Sequence, residues 1–214
     1  MLRHYNLLDR LLVETDKALR TIYARPMGSG RKNPADAVTE FSELSDSERK
    51  QSARLMRINH AGEVSAQGLY QGQSLTARDP TIAKQMKQSA VEENDHLVWC
   101  DQRLEELGSH KSMLGPVWYL GSFTIGAFAG LIGDRWSLGF VKETEHKVVN
   151  HLDDHLQRIS DSDLESRAIL EQMKTDELHH AHVASSAGAA NLPGPVRGLM
   201  TLASKVMTKT AYWV

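Results

Sequence analysis

Apolar residues recur along most of the chain at intervals of three and four positions, the spacing that places them on one face of an α-helix. No stretch shows the sustained alternation of apolar and polar residues that is typical of a strand. The pattern predicts an N-terminal amphipathic helix, four long helices and a short C-terminal helix, with the last five at 49–77, 81–107, 137–159, 166–189 and 196–214. The sequence therefore predicts an all-α protein.

Capping and breaking residues mark the ends of these helices. Ser45–Glu48 reads "SDSE", a typical N-terminal cap, and the helix it opens stops at Arg78–Pro80. Gly108 ends the second long helix, and "SDSDLE" at 160–165 caps the fourth. "LPGP" at Leu192–Pro195 separates the last helix from the rest of the chain.

Three regions follow from these boundaries. We expect an N-terminal helix with a flexible linker over 1–45, because 25–38 is rich in Gly, Pro and charge. Residues 46–190 form the central bundle, and 191–214 form the C-terminal helix.

An uncharged stretch of 22 residues, Ser112–Gly133, lies between the second and third long helices. Its length suffices for a membrane span, which needs roughly 20 apolar residues. Gly126 and Gly130 favour close packing against another helix. The uncharged segment can be interpreted in three ways: as a membrane span, as an apolar segment lying on a membrane surface, or as a crossover buried against the bundle.

The arrangement Glu-x-x-His occurs twice, as Glu93 with His96 and as Glu177 with His180. Residues at i and i+3 share one helix face, so each pair converges on one point. A single pair is weak evidence, because both residue types are common on solvated helix faces. Two pairs on separate helices are typical of four-helix bundles that bind two metal ions, in which the other two helices each supply one inward Glu.

The remaining two helices supply the expected lone glutamates. Glu63 precedes Glu93 by 30 residues and Glu145 precedes Glu177 by 32, so the chain is an approximate duplication. Four carboxylates and two imidazoles suit iron or manganese and match structural zinc poorly. We therefore predict a di-metal site formed by Glu63, Glu93, His96, Glu145, Glu177 and His180. A single membrane crossing at Ser112–Gly133 would separate its two halves, so the sequence argues against a span.

Several other polar residues of these helices are assigned more ordinary roles. Glu92 and Asp95 are predicted to be surface charges, and Tyr70 is predicted to pack in the core. Cys100 is expected to be a small buried residue, and Asp154 is a candidate hydrogen-bond partner of a ligand histidine.

Charge and cysteine content narrow the function classes. A net charge of −2 and a pI near 6.6 give no reason to expect nucleic acid as a partner. A single cysteine excludes an intramolecular disulfide and a Cys-rich metal site, and it suits a reducing compartment. Charged residues interrupt the first twenty positions, so no signal peptide is predicted and an intracellular protein is expected.

The motifs "RINHAGE", "EENDHL", "ETEHKVVNHLDDHL" and "DELHH" resemble, as a set, the demethoxyubiquinone (3-demethoxyubiquinol) hydroxylases of ubiquinone biosynthesis. These bacterial proteins are ferritin-like di-iron carboxylate proteins, and the resemblance covers about residue 57 to the C-terminus. It implies a ferritin-like four-helix bundle with additional N- and C-terminal helices and an apolar crossover segment. It also implies the same six metal ligands, and it matches His151 to a histidine of the family that is implicated in electron transfer.

The resemblance further implies a di-iron monooxygenase that hydroxylates the ring of polyprenylated demethoxyubiquinol with O₂. Electrons would come from NADH or from the quinol itself. The expected location is the cytoplasmic face of the cell membrane, as a peripheral protein, with a lipid-presenting or ubiquinone-biosynthesis partner and a homo-oligomer both open. The alternatives are another ferritin-like di-metal protein, with peroxide-scavenging or iron-storage activity, and a bundle without metal that serves only to bind membranes.

Overall fold

The computed structural model describes residues 7–24, 27–40 and 43–214, and within them all regular structure is helical. This confirms the predicted all-α class. The helices are α1 (Leu7–Tyr23), α2 (Asp46–Thr76), α3 (Pro80–Glu106), α4 (Gly115–Ile132), α5 (Asp134–Arg158), α6 (Leu164–Ser186) and α7 (Gly194–Ala211), with a short 3₁₀ turn at Pro34–Ala37.

Side-chain caps begin three of the four bundle helices, and those of α2 and α6 were predicted from the sequence. Ser45 caps α2 in a reciprocal arrangement, in which its hydroxyl accepts the Glu48 backbone N–H and the Glu48 carboxylate accepts the Ser45 backbone N–H. Asp79 caps α3 ahead of Pro80, and Asp163 caps α6. These side chains satisfy backbone donors that lack a partner inside the helix.

Two helical hairpins, α2–α3 and α5–α6, face each other to form the four-helix bundle. Near one end, the Gln73 amide of α2 donates to the Ser137 carbonyl oxygen of α5 at 2.8 Å. Near the other end, Asn59 Oδ1 of α2 lies 2.8 Å from His155 Nδ1 of α5. α2 and α5 are therefore antiparallel. Since α4 returns the chain along the bundle before α5 begins, the connectivity is that of ferritin-like bundles with one long crossover, as predicted.

Apolar layers fill the bundle on either side of its middle. The larger layer includes Leu55, Trp99, Cys100, Ile169 and Met173, each at most 1% exposed. The predicted burial of Cys100 is thereby confirmed. A second layer around Met86 and Leu138 closes the other end. Polar groups between the two layers are consequently withdrawn from water.

α4 lies directly against α2, and glycines on both helices permit the close approach. A Cβ added at Gly126 of α4 would overlap the Leu69 backbone oxygen, and one added at Gly72 of α2 would overlap the Phe123 backbone oxygen. The predicted close packing at Gly126 therefore occurs, and its partner is α2 of the same chain.

The opposite face of α4 is open. Val117, Leu120, Phe128 and Leu131 are each 58% exposed or more. Of the helices in the described ranges, only Gly115–Ile132 is long and apolar enough to cross a membrane by length and composition. One face of α4 is packed on the bundle, which fits the interpretation of this segment as a buried crossover. The other face presents apolar side chains outward, which fits the interpretation of a segment that lies on a membrane surface.

Two alanine substitutions within α4 test its contact with α2. We expect Gly126→Ala to lower the free energy of unfolding by about 1–3 kcal/mol, because the new methyl group must force the two backbones apart. Gly121→Ala is the matched control, because its added Cβ meets no atom within 4 Å. It should leave stability unchanged or raise it by up to about 1 kcal/mol, from helix propensity. Chemical denaturation of both variants measures the difference, and equal stabilities would refute the contact.

Candidate metal centre

Six acidic and histidine side chains meet in the middle of the four-helix bundle, and they are the six predicted from the sequence. All are buried, with exposed fractions of 5% or less. α2 supplies Glu63, α3 supplies Glu93 and His96, α5 supplies Glu145, and α6 supplies Glu177 and His180.

The six residues form two groups of four that share two carboxylates. In one group, ligand atoms of Glu63 and His96 lie within 4.8 Å of each other and of Glu93 and Glu177. In the other, Glu145 and His180 make the same arrangement with the same Glu93 and Glu177. Each group can bind one metal ion, and the two shared carboxylates can contact both ions.

Each histidine points one ring nitrogen into the cluster. His96 Nδ1 lies 3.0 Å from Glu93 Oε2 and 3.2 Å from Glu177 Oε1. His180 Nδ1 lies 3.0 Å from Glu93 Oε1 and 3.3 Å from Glu177 Oε2. A metal ion bound in either group would therefore meet Nδ1 of the one histidine that belongs to that group.

The outward nitrogens are held by carboxylates of the opposite hairpin. His96 Nε2 on α3 lies 3.0 Å from Asp176 Oδ2 on α6, and His180 Nε2 on α6 lies 2.7 Å from Glu92 Oε2 on α3. An Nε2–H bonded in this way leaves the Nδ1 lone pair directed at the cluster. Glu92 is partly exposed, as expected of a surface charge, but its contact with His180 was missed, and so was Asp176.

A longer repeat in the sequence carries the signal for both carboxylates. Gln88 donates to Glu92 at 2.9 Å, and Gln172 donates to Asp176 at 3.0 Å. Both helices thus contain Gln-x-x-x-acid-Glu-x-x-His, in which the acid lies immediately before the cluster glutamate. Comparing the two halves of the chain position by position would have found them.

Three further assignments are settled by contacts. Tyr70 is fully buried, as predicted, and its hydroxyl also donates to Glu145 Oε1. Asp95 is 1% exposed, so its assignment to the surface was wrong. Asp154 was also wrongly assigned, because it pairs with Arg158 at 2.7 Å on the outside of α5 and contacts no histidine of the cluster.

His151 lies outside the six-residue cluster. It is half-buried on α5, and its Nε2 lies 2.7 Å from the Ser204 hydroxyl of α7. Its ring centroid is 6.4 Å from that of His155. The electron-transfer role assigned to His151 by resemblance stays a prediction.

Burial and mutual repulsion raise the pKa values of two of the carboxyl groups. Desolvation, reinforced by the Glu93 charge, raises the pKa of Glu63 well above its ordinary value. Desolvation and the Glu177 charge do the same to the pKa of Glu145. Glu63 Oε2 is buried and accepts no hydrogen bond, and its nearest imidazole nitrogen is 3.6 Å away. Such an oxygen has the environment expected of an atom that binds a cation.

The pKa values of the two histidines are raised as well, but by the neighbouring carboxylates and against the effect of burial. Burial alone would lower the pKa of His96, but the Glu93 charge and the hydrogen bond to Asp176 raise it well above its ordinary value. Burial would also lower the pKa of His180, but hydrogen bonds to Glu177 and Glu93 raise it to about 12. Protons on these rings thus balance part of the carboxylate charge when no metal is bound. The donor set fits divalent cations, since carboxylate oxygens and imidazoles in this ratio suit iron and manganese.

Residues 50–211 match the family model described as ubiquinone biosynthesis protein COQ7. A 3-demethoxyubiquinol 3-hydroxylase from Nitrosococcus oceani is 58% identical over 99% of both chains. Proteins of the same name from Alcanivorax borkumensis and Nitrosomonas europaea are 54% and 52% identical, over 98% and 97% of this chain and 98% and 99% of their own.

Metal affinity should increase with pH, because bound ions must displace protons from the two imidazoles and from Glu63 and Glu145, whose pKa values are also raised. At neutral pH the raised pKa values keep both rings of the metal-free protein protonated, whereas a ligating histidine must be neutral. We expect the affinity for Fe²⁺ to rise about tenfold per pH unit for each proton released. Calorimetric titration in buffers of different ionisation enthalpy counts the protons directly. An affinity that does not change between pH 6 and pH 8 would contradict this account.

Proposed function

The chain belongs to the COQ7 family of ubiquinone biosynthesis proteins, and we propose that it is a di-iron monooxygenase that hydroxylates the ring of demethoxyubiquinol with O₂. The observation that carries the proposal is the pair of four-residue groups that share Glu93 and Glu177. This arrangement can bind two ions side by side, as the di-iron proteins of ferritin-like bundles do. The relatives' shared name supplies the substrate.

The protein's own residues prepare the site. Glu63 with His96 would bind one ion, Glu145 with His180 the other, and the shared Glu93 and Glu177 both. Iron bound here supplies the activation of O₂.

The surrounding residues fix these ligands in place. Asp176 and Glu92 hold the Nε2–H of the two histidines, and Tyr70 fixes the orientation of the Glu145 carboxylate. The burial of all six ligands keeps bulk water away from the reacting groups.

The proposed reaction places one oxygen atom of O₂ on the quinol ring and releases the other as water. Two electrons and two protons complete this balance, and NADH or the quinol itself would supply the electrons. His151 is the proposed electron-transfer residue, at the contact between α5 and α7.

A lipid bilayer is the proposed partner of the open face of α4. Phe128 and Leu131 on this face are 65% and 61% exposed, within a stretch that carries no charged residue. α7 also exposes apolar side chains, including Leu199 and Leu202. A quinol with a polyprenyl tail resides in the bilayer, so an enzyme lying on the membrane surface can reach it without crossing the membrane.

The proposed location follows from this contact. We place the protein on the cytoplasmic face of the cell membrane, as a peripheral protein. A lipid-presenting partner or a second copy of the chain would be an addition to this arrangement.

Iron content and turnover test the function together. The purified protein should contain two iron ions per chain and convert a short-tailed demethoxyquinol under ¹⁸O₂ to a product with one ¹⁸O atom. Glu177→Ala should lose the iron and essentially all turnover, because Glu177 belongs to both four-residue groups. Glu171→Ala, an exposed glutamate of the same helix, should retain both. Two irons without ring hydroxylation would redirect the function to peroxide or storage chemistry, and no iron would refute the metal centre.

Vesicle binding tests the membrane contact. Leu131→Glu should weaken binding to phosphatidylethanolamine–phosphatidylglycerol vesicles by about tenfold or more, since it removes a leucine from the proposed contact and adds a charge. Leu178→Glu makes the same change at an exposed leucine of α6, in the bundle, and should bind like the wild type. Equal binding of both variants to co-sedimenting vesicles would count against α4 as the membrane surface.

A further inference from the structure

Six residues between α1 and α2, Gly28–Asn33, lie along α3, and we refer to them as the strap. The Ser29 backbone N–H and hydroxyl donate to the two carboxylate oxygens of Asp95 at 2.6 and 2.7 Å. Farther along, the Asn33 amide donates to Gln102 Oε1 at 2.8 Å. These bonds fix the strap beside the segment of α3 that carries His96. They also give buried Asp95 the hydrogen bonds that a withdrawn carboxylate needs.

Arg31 extends from the strap to the carboxylate that holds His96. Its Nη2 lies 2.8 Å from Asp176 Oδ2, the oxygen that also lies 3.0 Å from His96 Nε2. Its guanidinium carbon is 5.0 Å from the centroid of the Trp99 ring, so the planar group stacks on an aromatic face. Arg31 is thus tied at two points, and both adjoin His96.

Among the residues that the structure describes, the equivalent position on the other side of the cluster has no such cation. Glu92 accepts a hydrogen bond from Gln88 and lies against His180, just as Asp176 accepts one from Gln172 and lies against His96. Within the described part of the chain, however, no lysine or arginine pairs with Glu92. In the described residues, the two halves of the site therefore have the same types of ligand but differ in the charged groups around the carboxylates that hold the histidines.

The geometry points to Arg31 as a positioning residue for the metal ion bound through His96, acting through Asp176. This inference rests on the proposed metal centre. Arg31 holds the Asp176 carboxylate in place, and this carboxylate accepts the hydrogen bond from His96 Nε2–H. The orientation of the His96 ring, and with it the direction of Nδ1 toward the ion, therefore depends on Arg31. His180 depends on Glu92, which none of the described lysines or arginines supports in this way. The two metal positions therefore differ in affinity, although their ligands are the same.

The direct test is a titration of metal-free protein with Co²⁺, followed by its visible absorption, which reports each binding step and the ligand geometry. Arg31→Gln should weaken one of the two steps by about tenfold and change the absorption of that ion only, in line with other losses around metal-bound histidines. Arg31→Lys keeps the charge but loses the stacked planar group, so it should restore part of the affinity. Arg20→Gln, at an exposed arginine paired with Asp16, is the control and should bind as the wild type.

A double-variant cycle shows whether the effect passes through Asp176. If it does, adding Arg31→Gln to an Asp176→Asn protein should cause no further weakening. Glu92→Gln should affect the other binding step, and its effect should add to that of Arg31→Gln. A full tenfold effect of Arg31→Gln in the Asp176→Asn background would overturn the inference, as would equal weakening of both steps.

A second variant displaces the strap without altering Arg31. A Cβ added at Gly28 would overlap Asp95 Oδ1, so Gly28→Ala should lift the strap and reproduce the loss caused by Arg31→Gln. Gly198→Ala, whose Cβ meets open space on α7, is the matched control.

Thermal unfolding of the metal-free proteins separates positioning from folding. The unfolding midpoints of the variants and the wild type should lie close together. A fall in the midpoint large enough to explain the lost metal affinity would show that the strap only stabilises the fold. Wild-type protein that binds no Co²⁺ would instead refute the metal centre itself, whereas two normal steps in Arg31→Gln would refute only the role of Arg31.

Discussion

The structure depends on the charge balance of one buried cluster. Four carboxyl groups lie between two apolar layers, where unpaired negative charge is costly, and the two imidazoles are the only groups among the six residues that can carry a positive charge. Bound cations would complete the balance, and protons balance part of the charge when no metal is bound. Each helix of the bundle must therefore hold its ligand in register with the other three, because a slip of one residue would turn a carboxylate into the apolar layers. The caps at Ser45, Asp79 and Asp163 set that register from the ends.

The crossover helix solves a second problem for the same bundle. Two hairpins that face each other with this connectivity require the chain to return along the whole bundle, and α4 does so by lying backbone to backbone on α2. Glycines occupy much of the contact face, and Tyr119 is the large side chain of α4 that is fully buried, whereas Val117, Leu120, Phe128 and Leu131 lie on the other face. A single segment thus both connects the hairpins and provides the apolar surface that we propose lies on the membrane.

The six residues of the cluster could be predicted from the sequence because each Glu-x-x-His pair is local to one helix turn, and the duplication identified Glu63 and Glu145. The all-α class and the caps followed from equally local patterns. Glu92 and Asp176 were harder, since each bonds a histidine of the opposite hairpin and only the folded bundle brings them together. The strap was read as a linker because Gly, Pro and charged residues lack periodicity. Its order comes from partners 66 and 69 positions away, at Asp95 and Gln102.

The crossed histidine bonds mean that neither hairpin contains a complete half of the cluster. Glu92 serves the histidine of α6, and Asp176 serves the histidine of α3. Two identical copies of one hairpin, related by a twofold axis, would satisfy the same bonds, and their two metal positions would be identical by symmetry. Joining the hairpins in one chain removes that restriction. The strap precedes the first hairpin, so it contacts only one side of the pseudo-twofold axis. It can therefore make two metal positions with the same types of ligand behave differently.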